Sequence, residues 1–487
     1  MIVSTAEMQA AECRLFTTGV EAETLMDEAG ARCAKAIIQF FPKRGRLTLF
    51  CGRGNNGGDT YVIGTRLKKQ GWFVETVESH ASTELTPLSQ KKRIEFLSQT
   101  SNTDFHANSH HVVVDGLLGI GSNGPLRGKI GDLAGEINSI RKNEHATVFA
   151  VDLPSGVGQK NGVTADFTLS ICEFKLELVA DDAVDQVGRL VKIPLPELST
   201  AIKKFGPEQV ANSKVLRAWL SPRDFGKHKG STGRVVIIAG SRGMTGAAVL
   251  AGLGALHGGA GLVTIFAEES IYPIVAASAP PEIMVRPTSD FSEVTEFNAD
   301  VLAIGPGLGP AKRDDILNLI LNDPRPAVVD ADGLNWLAES ESIPKFTHPR
   351  LLTPHPGEMS RLFGDFRNLT RDEIATEFSK RTGASILLKG SRSVIANSDE
   401  TAPLTYNSTG HPGMATGGIG DVLTGLSAAL IARKLSPARA AIVGSWLVGR
   451  AAEIAIFEDG ESAESLSAVM IANRLGRAFR SLKSGDF

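Results

Sequence analysis

The run GMATGGIGDVLTG (413–425) sets Asp421 directly behind Gly417, Gly418 and Gly420 and ahead of an apolar helical pattern. Backbone N–H groups at such a helix start form a cradle for an anion, and a transferring phosphoryl group is one they stabilise. A carboxylate in the same place can take a proton from an attacking hydroxyl. Asp421 as a plain N-cap is the alternative, but three glycines are more than a cap needs. Three further positions could serve the same chemistry. Lys389, in LLKGS (387–391), ends a strand-like run, where its ammonium can meet a phosphate as a point charge. His355, in TPHPGE (353–358), is held between two prolines, a rigid presentation of its ring, with a structural role as the alternative. Lys229 and Gly230, in HKGSTG, precede another such run, and GPGLG (305–309) closes a third.

Earlier in the chain, CGRGNNGGDT (51–60) reads as a strand-to-helix turn with four glycines, Asn55, Asn56 and Asp59. Its amides suit a phosphate, and the paired asparagines add donors and neutral oxygens. The alternative is a tight turn capped by Asp59. VDGLLGIGSNGPLRG (114–128) puts Asp115 at a strand end, and VDLPSG (151–156) does the same for Asp152, with Ser155 after it. Ligands of open parallel sheets sit beyond the carboxyl ends of the strands, so Asn56, Asp115, Asp152 and Ser155 could share one crevice. One carboxylate among neutral amide and hydroxyl oxygens is a weak-field site, better suited to K⁺ than to Mg²⁺. Each aspartate as a simple turn cap is the alternative.

The elements that would position these residues form two α/β regions in which apolar runs alternate with helical patterns. In the first, strands are expected at 46–51, 72–79, 110–116 and 146–151, with helices over 59–70 and within 127–142. In the second, 233–241, 261–267, 299–305, 326–330, 350–354 and 384–396 are Val/Ile/Leu-rich runs that end in glycine-rich or polar loops. They read as strands buried on both faces. Helices are expected over 245–259 and 421–435, the latter as the last long element. The stretch 200–222 has no strand run, which divides the chain into 1–210 and 211–487. Its 487 residues also exceed the roughly 250–300 at which one core stops growing.

Composition closes off other functions. Lys plus Arg number 51 and Asp plus Glu 54, so the net charge of −3 offers neither a basic surface for nucleic acid nor an acidic tail. Aromatics at 6% leave few platforms for base stacking. The four cysteines, Cys13, Cys33, Cys51 and Cys172, form no CxxC pair, so a cytoplasmic setting is expected without disulfides or zinc. No signal peptide and no membrane span are expected.

These motifs also carry a resemblance. GNNGGD, VDGLLGIG with PLRG, VDLPSG and ETLMDEAG (23–30) resemble the NAD(P)H-hydrate epimerase family, the YjeF N-terminal domain, over about residues 1–200. HKGSTG, GPGLG, DADGLN, TPHPGE, LLKGS and NSTGHPGMATGGIGDVLTG resemble the ADP-dependent NAD(P)H-hydrate dehydratase family, the YjeF C-terminal domain, over about 215–487. The resemblance implies a Rossmann-like three-layer domain followed by a ribokinase-like one. It implies an isomerase that interconverts the R and S forms of NADHX and NADPHX, in which water has added to C6 of the nicotinamide. It further implies a lyase that spends ADP, with Mg²⁺, to restore NADH or NADPH from the S form, giving AMP and phosphate.

By the same resemblance Asn55, Asn56, Gly57, Gly58 and Asp59, with Gly119, Ile120, Gly121, Ser122, Asn123, Gly124 and Pro125, hold the epimerase substrate. Asn56, Asp115 and Ser155 ligate K⁺, and Asp152 is its substrate-contacting acid/base. Ala247, Gly307, His355 and Asp421 contact the hydrate in the second domain, with Asp421 as its base. Lys389, Gly390, Ser391, Arg392, Ser393 and Gly420 hold the nucleotide. A homo-oligomer acting on small molecules is expected, without nucleic acid or membrane partners. Four residues depart from the family pattern: Thr60 stands where Gly is frequent, Leu118 where Phe is usual, Ile120 where Thr is usual, and Ile419 where Ser or Thr is frequent. Two rival readings stay open: a small-molecule kinase, for example of a vitamin alcohol, in the second region, and an inactive nucleotide-binding scaffold in the first. Both kinase and dehydratase would need an aspartate like Asp421.

Overall fold

The apolar runs become strands, and the glycine-rich segments behind them fall at the strands' carboxyl ends. The computed structural model describes residues 1–487 except 101–109, 123, 223–224, 227–228, 311–312, 341, 365–367, 399–401 and 486–487. The chain forms two units, Met1–Val210 and the chain from Ala211 onward.

In the first unit, β1 (Arg46–Cys51), β2 (Phe73–Glu78), β3 (His111–Gly116), β4 (Thr147–Val151), β5 (Phe167–Ile171) and β6 (Arg189–Ile193) form one sheet in the order β2-β1-β3-β4-β5-β6. Every neighbouring pair is parallel. The order reverses between β1 and β3, the switch point of a Rossmann-like, flavodoxin-type sheet. The helix that leaves β1 spans Asn55–Lys69, so GNNGGD forms its first turn and is not a loop, contrary to the helix expected from residue 59. Two small residues permit this. A Cβ on Gly57 would lie 2.0 Å from the Gly52 carbonyl, and one on Gly58 would lie 2.6 Å from the Met26 sulfur of the helix Ala22–Phe40.

In the second unit, β7 (Arg234–Ile238), β8 (Leu262–Glu268), β9 (Met284–Thr288), β10 (Val301–Ile304), β11 (Ala327–Val329), β12 (Arg350–Leu352), β13 (Ser385–Leu388), β14 (Val394–Ala396) and β15 (Thr405–Tyr406) run in the order β9-β8-β7-β10-β11-β12-β13-β14-β15. They are parallel as far as β13, and β14 and β15 are antiparallel additions. The run 384–396, expected as one strand, is therefore a hairpin that turns at Lys389–Ser393. The switch point lies between β7 and β10, and the central strands are buried on both faces.

Asp421 rides on the helix Ile419–Ala432, which packs backbone to backbone against Thr245–His257. A Cβ on Gly254 would sit 2.1 Å from the Val422 carbonyl oxygen, and one on Gly425 would sit 1.8 Å from that of Ala251. Contrary to the expectation that 421–435 is the last long element, Pro437–Glu453 and Ala468–Ser484 follow it as helices. Pro437–Glu458 has the length and mean hydropathy (1.5) of a membrane span, but 89% of its apolar window is buried inside the fold, as in a core helix.

Gly425→Ala should destabilise the second unit by about 1–3 kcal/mol or more, because the clash is with rigid backbone. Gly476→Ala, which adds a methyl into open space on a helix, should leave the melting temperature unchanged or slightly raised. Thermal unfolding of the two variants measures the difference.

Candidate active sites

A cleft of about 520 Å³ lies at the carboxyl ends of β1, β3 and β4, bounded by the helix Thr5–Phe16. Asn56 ties the three strand ends together: its Nδ2 donates to the Leu118 carbonyl (2.7 Å) and to the Val151 carbonyl (3.0 Å). This leaves its Oδ1 end beside Gly119, where an added Cβ would lie 3.5 Å away. Beneath the loops Asp115 is fully buried. Its Oδ1 accepts from Ser155 Oγ (2.7 Å) and Leu117 N (3.2 Å), and its Oδ2 accepts from Ser155 N (2.8 Å). Ser155 Oγ accepts from Leu118 N at 3.0 Å. Burial pushes the Asp115 carboxyl up to about 6, with the Ser155 and Leu117 hydrogen bonds opposing it. A buried carboxylate whose hydrogen-bond partners are neutral, with hydroxyl, carboxamide and carbonyl oxygens nearby, fits a weakly held monovalent cation. Among the described residues no three His, Cys, Asp or Glu side chains cluster as a transition-metal site would need.

Asp152 lines the cleft with a left-handed backbone, φ 67°, a conformation that costs energy outside glycine. Its Oδ1 accepts from Ile171 N at 3.0 Å and forms an ion pair with Lys175, which is buried and also donates to the Ile171 carbonyl at 2.6 Å. Asp59 lines the same cleft. Burial, with Asp152 and Glu12 nearby, holds its carboxyl well above the usual range. Of the other expected contacts, Asn55, Gly119, Ile120, Gly121 and Ser122 line the cleft. Gly57, Gly58, Gly124 and Pro125 are absent from its lining: the first two serve packing, and the Gly124 carbonyl accepts from Gln159 Nε2 at 3.0 Å. Asn123 lies outside the described residues.

In the second unit the expected residues stand behind successive parallel strands. The Gly240 amide donates to the Pro306 carbonyl at 2.8 Å, joining the loops after β7 and β10 at the switch point. Gly307, at φ 62°, faces Ala247: an added Cβ would lie 2.9 Å from that of Ala247. His355 caps the helix Pro356–Phe363, its Nδ1 accepting from Gly357 N (2.9 Å) and Glu358 N (3.3 Å). That leaves the proton on Nε2, 3.4 Å from Glu358 Oε1, on a ring whose side chain is 51% exposed.

Lys389, behind β13, pairs with Asp330, behind β11, at 2.7 Å. The other Asp330 oxygen accepts from Thr424 Oγ1 of the Asp421 helix at 2.8 Å. Gly420 rests on this pair: a Cβ there would lie 3.4 Å from Lys389 Nζ and 3.5 Å from Asp330 Oδ2. Burial and the Asp330 charge push Asp421 up to about 7, with Lys389 opposing. Burial acts to lower Lys389, but Asp330, Glu358 and Asp421 outweigh it and hold the ammonium above its ordinary value. In the turn after Lys389, Gly390 and Ser391 are exposed, Ser393 is half-buried and the Arg392 residue is buried. Arg371 underlies the turn, and its guanidinium nitrogen would be 2.4 Å from a Cβ on Gly390.

Sequence reasoning passed over Asp330, Thr424 and Glu358, although DADGLN, DVLTG and TPHPGE contain them. It also missed Lys175 and Glu12, for which no local pattern exists.

The NAD(P)H-hydrate dehydratase family profile matches residues 235–473, and that of the YjeF-related protein N-terminus matches 22–176. The bifunctional NAD(P)H-hydrate repair enzyme Nnr of Moorella thermoacetica is 36% identical over 480 residues, covering 90% of this chain and 89% of the relative. The ADP/ATP-dependent NAD(P)H-hydrate dehydratase of Bacillus subtilis, crystallised with ATP and Mg²⁺, is 31% identical with a TM-score of 0.51. It covers 56% of this chain and 98% of its own. A ribokinase-like superfamily protein of Enterococcus faecalis gives 25% identity and a TM-score of 0.50, covering 57% of this chain and 98% of its own. The chain belongs to the family of bifunctional NAD(P)H-hydrate repair enzymes.

Proposed function

We propose that the second unit is a lyase that restores NADH or NADPH from the S hydrate at the expense of ADP. The observation that carries this is Asp421, a carboxyl held at about 7 at a glycine-rich helix start, beside the Lys389–Asp330 pair. Asp421 takes the proton of the C6 hydroxyl. The freed oxygen attacks the terminal phosphorus of ADP and AMP departs. Phosphate then leaves C6 with the C–O electron pair as the N1 lone pair forms a C6=N1 cation, and loss of a proton from C5 closes the C5=C6 bond and completes the dehydration. Lys389 and the amides around Gly420 steady the charge on the phosphoryl group in flight. Ala247, Gly307 and the Nε2–H of His355 present the hydrate, and the turn Lys389–Ser393 holds the nucleotide. Mg²⁺ bound with the nucleotide would neutralise phosphate charge, with Asp330 and Glu358 as the carboxylates that face Lys389 and could hold it. Crystallisation of the B. subtilis dehydratase with ATP and Mg²⁺ supports this assignment. A kinase would instead leave a stable phosphate ester, so release of free phosphate together with reduced cofactor separates the two readings.

The first unit is the matching isomerase, converting R hydrate to the S form that the second unit accepts. Asp152 is its acid/base, and the cleft loops at Asn55–Asn56 and Gly119–Ser122 hold the NADHX or NADPHX. Asn56, Asp115 and Ser155 would hold K⁺, whose charge would offset the buried Asp115 carboxylate. Four free cysteines, three of them buried, support a cytoplasmic setting.

Asp421→Asn should lower dehydration by about 10²–10⁴-fold, the usual worth of a general base, and leave epimerisation intact. Wild-type dehydration should rise as pH climbs through about 7, because the base acts as the carboxylate, and the variant should lose that rise. Absorbance at 340 nm with S-NADHX and ADP follows both. Asp115→Asn removes the buried charge but keeps an acceptor, so epimerisation should lose its K⁺ dependence while dehydration is unchanged. A K⁺ titration of R/S interconversion, followed by NMR, checks this.

A further inference from the structure

The cleft of the first unit contains a carboxyl that none of these roles uses. Glu12 lines it from the helix Thr5–Phe16, whose Gln9 Nε2 donates to the Ile120 carbonyl at 3.0 Å and so fastens the helix to the cleft loop. The helix is also anchored by Met8, Ala11 and Leu15, which are buried in an apolar cluster. The ionisable groups lining the cleft with Glu12 are Asp59, Asp152, Lys175 and Arg53, and Arg53 is exposed at its rim. Lys175 is the buried cation among them, and it is engaged by Asp152 and the Ile171 carbonyl. One buried ammonium, paired with Asp152, leaves two further carboxyls, Asp59 and Glu12, whose protons a partly dry cleft favours. Asp152 is already the carboxylate of an ion pair, and Asp59 is 8% exposed. Glu12 is half-buried and open to the cleft.

We propose that Glu12 is the proton donor of R-to-S interconversion, working opposite the Asp152 carboxylate. The proposal rests on the epimerase reading of this unit. The Glu12 carboxylic acid gives its proton to the C6 hydroxyl. The C6–O bond breaks with its electron pair on oxygen, water departs, and the N1 lone pair forms a C6=N1 cation. Water then adds to the opposite face through an oxygen lone pair and loses a proton to Asp152. The enzyme is left with Glu12 ionised and Asp152 protonated, the state that runs the reverse reaction, as microscopic reversibility requires. In support, burial and the Asp152 charge push Glu12 up to about 7, with Lys175 opposing, so that much of it stays protonated at neutral pH. Two carboxyls in opposed environments are the arrangement that divides acid from base.

The test is Glu12→Gln in the full chain, with NMR of the R and S signals in the absence of nucleotide. Wild-type kcat for R-to-S conversion should fall as pH rises past about 7. The variant should lose about 10²-fold in kcat, as for removal of a general acid, with KM within about twofold and the pH limb gone. Glu12→Asp should regain part of the rate and the limb. Dehydration of the S hydrate should stay at the wild-type rate in both variants, showing that they fold. In H₂¹⁸O, label should enter the C6 hydroxyl in step with inversion. A Gln variant with wild-type kcat and an unchanged pH limb overturns the proposal, as does inversion without label. A wild-type chain that leaves the R/S ratio unmoved overturns the epimerase reading, and the proposal falls with it.

Discussion

The second site depends on one ion pair, the half-buried Lys389 with the buried Asp330. The two residues stand two strands apart behind a parallel sheet, and their 2.7 Å contact closes the space between. Asp330 is 1% exposed, and its second oxygen is taken by Thr424, one turn beyond Asp421 on the same helix. The pair therefore sets how far the helix N-terminus descends toward the sheet. Removing Lys389 would strand the buried Asp330 carboxylate, a loss of about 3–5 kcal/mol. The same pair acts on Asp421 with opposite signs, Asp330 raising its carboxyl and Lys389 restraining the rise. Architecture and basicity thus share one origin.

Both units join the two loops that diverge where strand order reverses by a hydrogen bond. In the first the link is the Asn56 side chain, which reaches the Leu118 and Val151 carbonyls. In the second it is backbone, from Gly240 to Pro306. The carboxamide keeps its oxygen end beside Gly119, whereas the backbone link uses no side chain at all. The electrostatics differ too: the hydrogen-bond partners of Asp115 are neutral, whereas Asp330 is paired with Lys389.

The parallel sheets, the glycine segments at their carboxyl ends and the aspartates behind β3 and β4 were legible in the sequence, because buried strands read as unbroken apolar runs. The starts of both site helices were not. Glycine reads as a loop former, yet Gly57, Gly58 and Gly420 are helical, where they admit a neighbouring carbonyl, a methionine or an ion pair. The hairpin at 385–396 was hidden for the related reason that a polar turn inside an apolar run looks like a strand end. Lys175 and Glu12 lie far from every motif, at 23 and 140 positions from Asp152 respectively, and only folding brings them to it. No spacing rule spans such distances.

Three of the departures from the family pattern make sense once their neighbours are known. Thr60 donates its hydroxyl to the Asn56 carbonyl at 2.8 Å, bracing the turn that carries the Asn56 side chain. The space it takes is left open by Gly116, where a Cβ would come within 1.8 Å of the Thr60 oxygen. A larger residue at 60 is thus matched by the absence of one at the end of β3. Ile120 joins the apolar cluster of Met8, Leu15 and Leu25, while its carbonyl takes the Gln9 bond, so its side chain helps seat the helix that bears Glu12. Ile419 is 8% exposed in the core beneath the Asp421 helix, exchanging a hydroxyl for apolar anchorage of the helix's first turn. Thr60 and Ile419 are buried, whereas Ile120 both packs on the helix Thr5–Phe16 and lines the cleft.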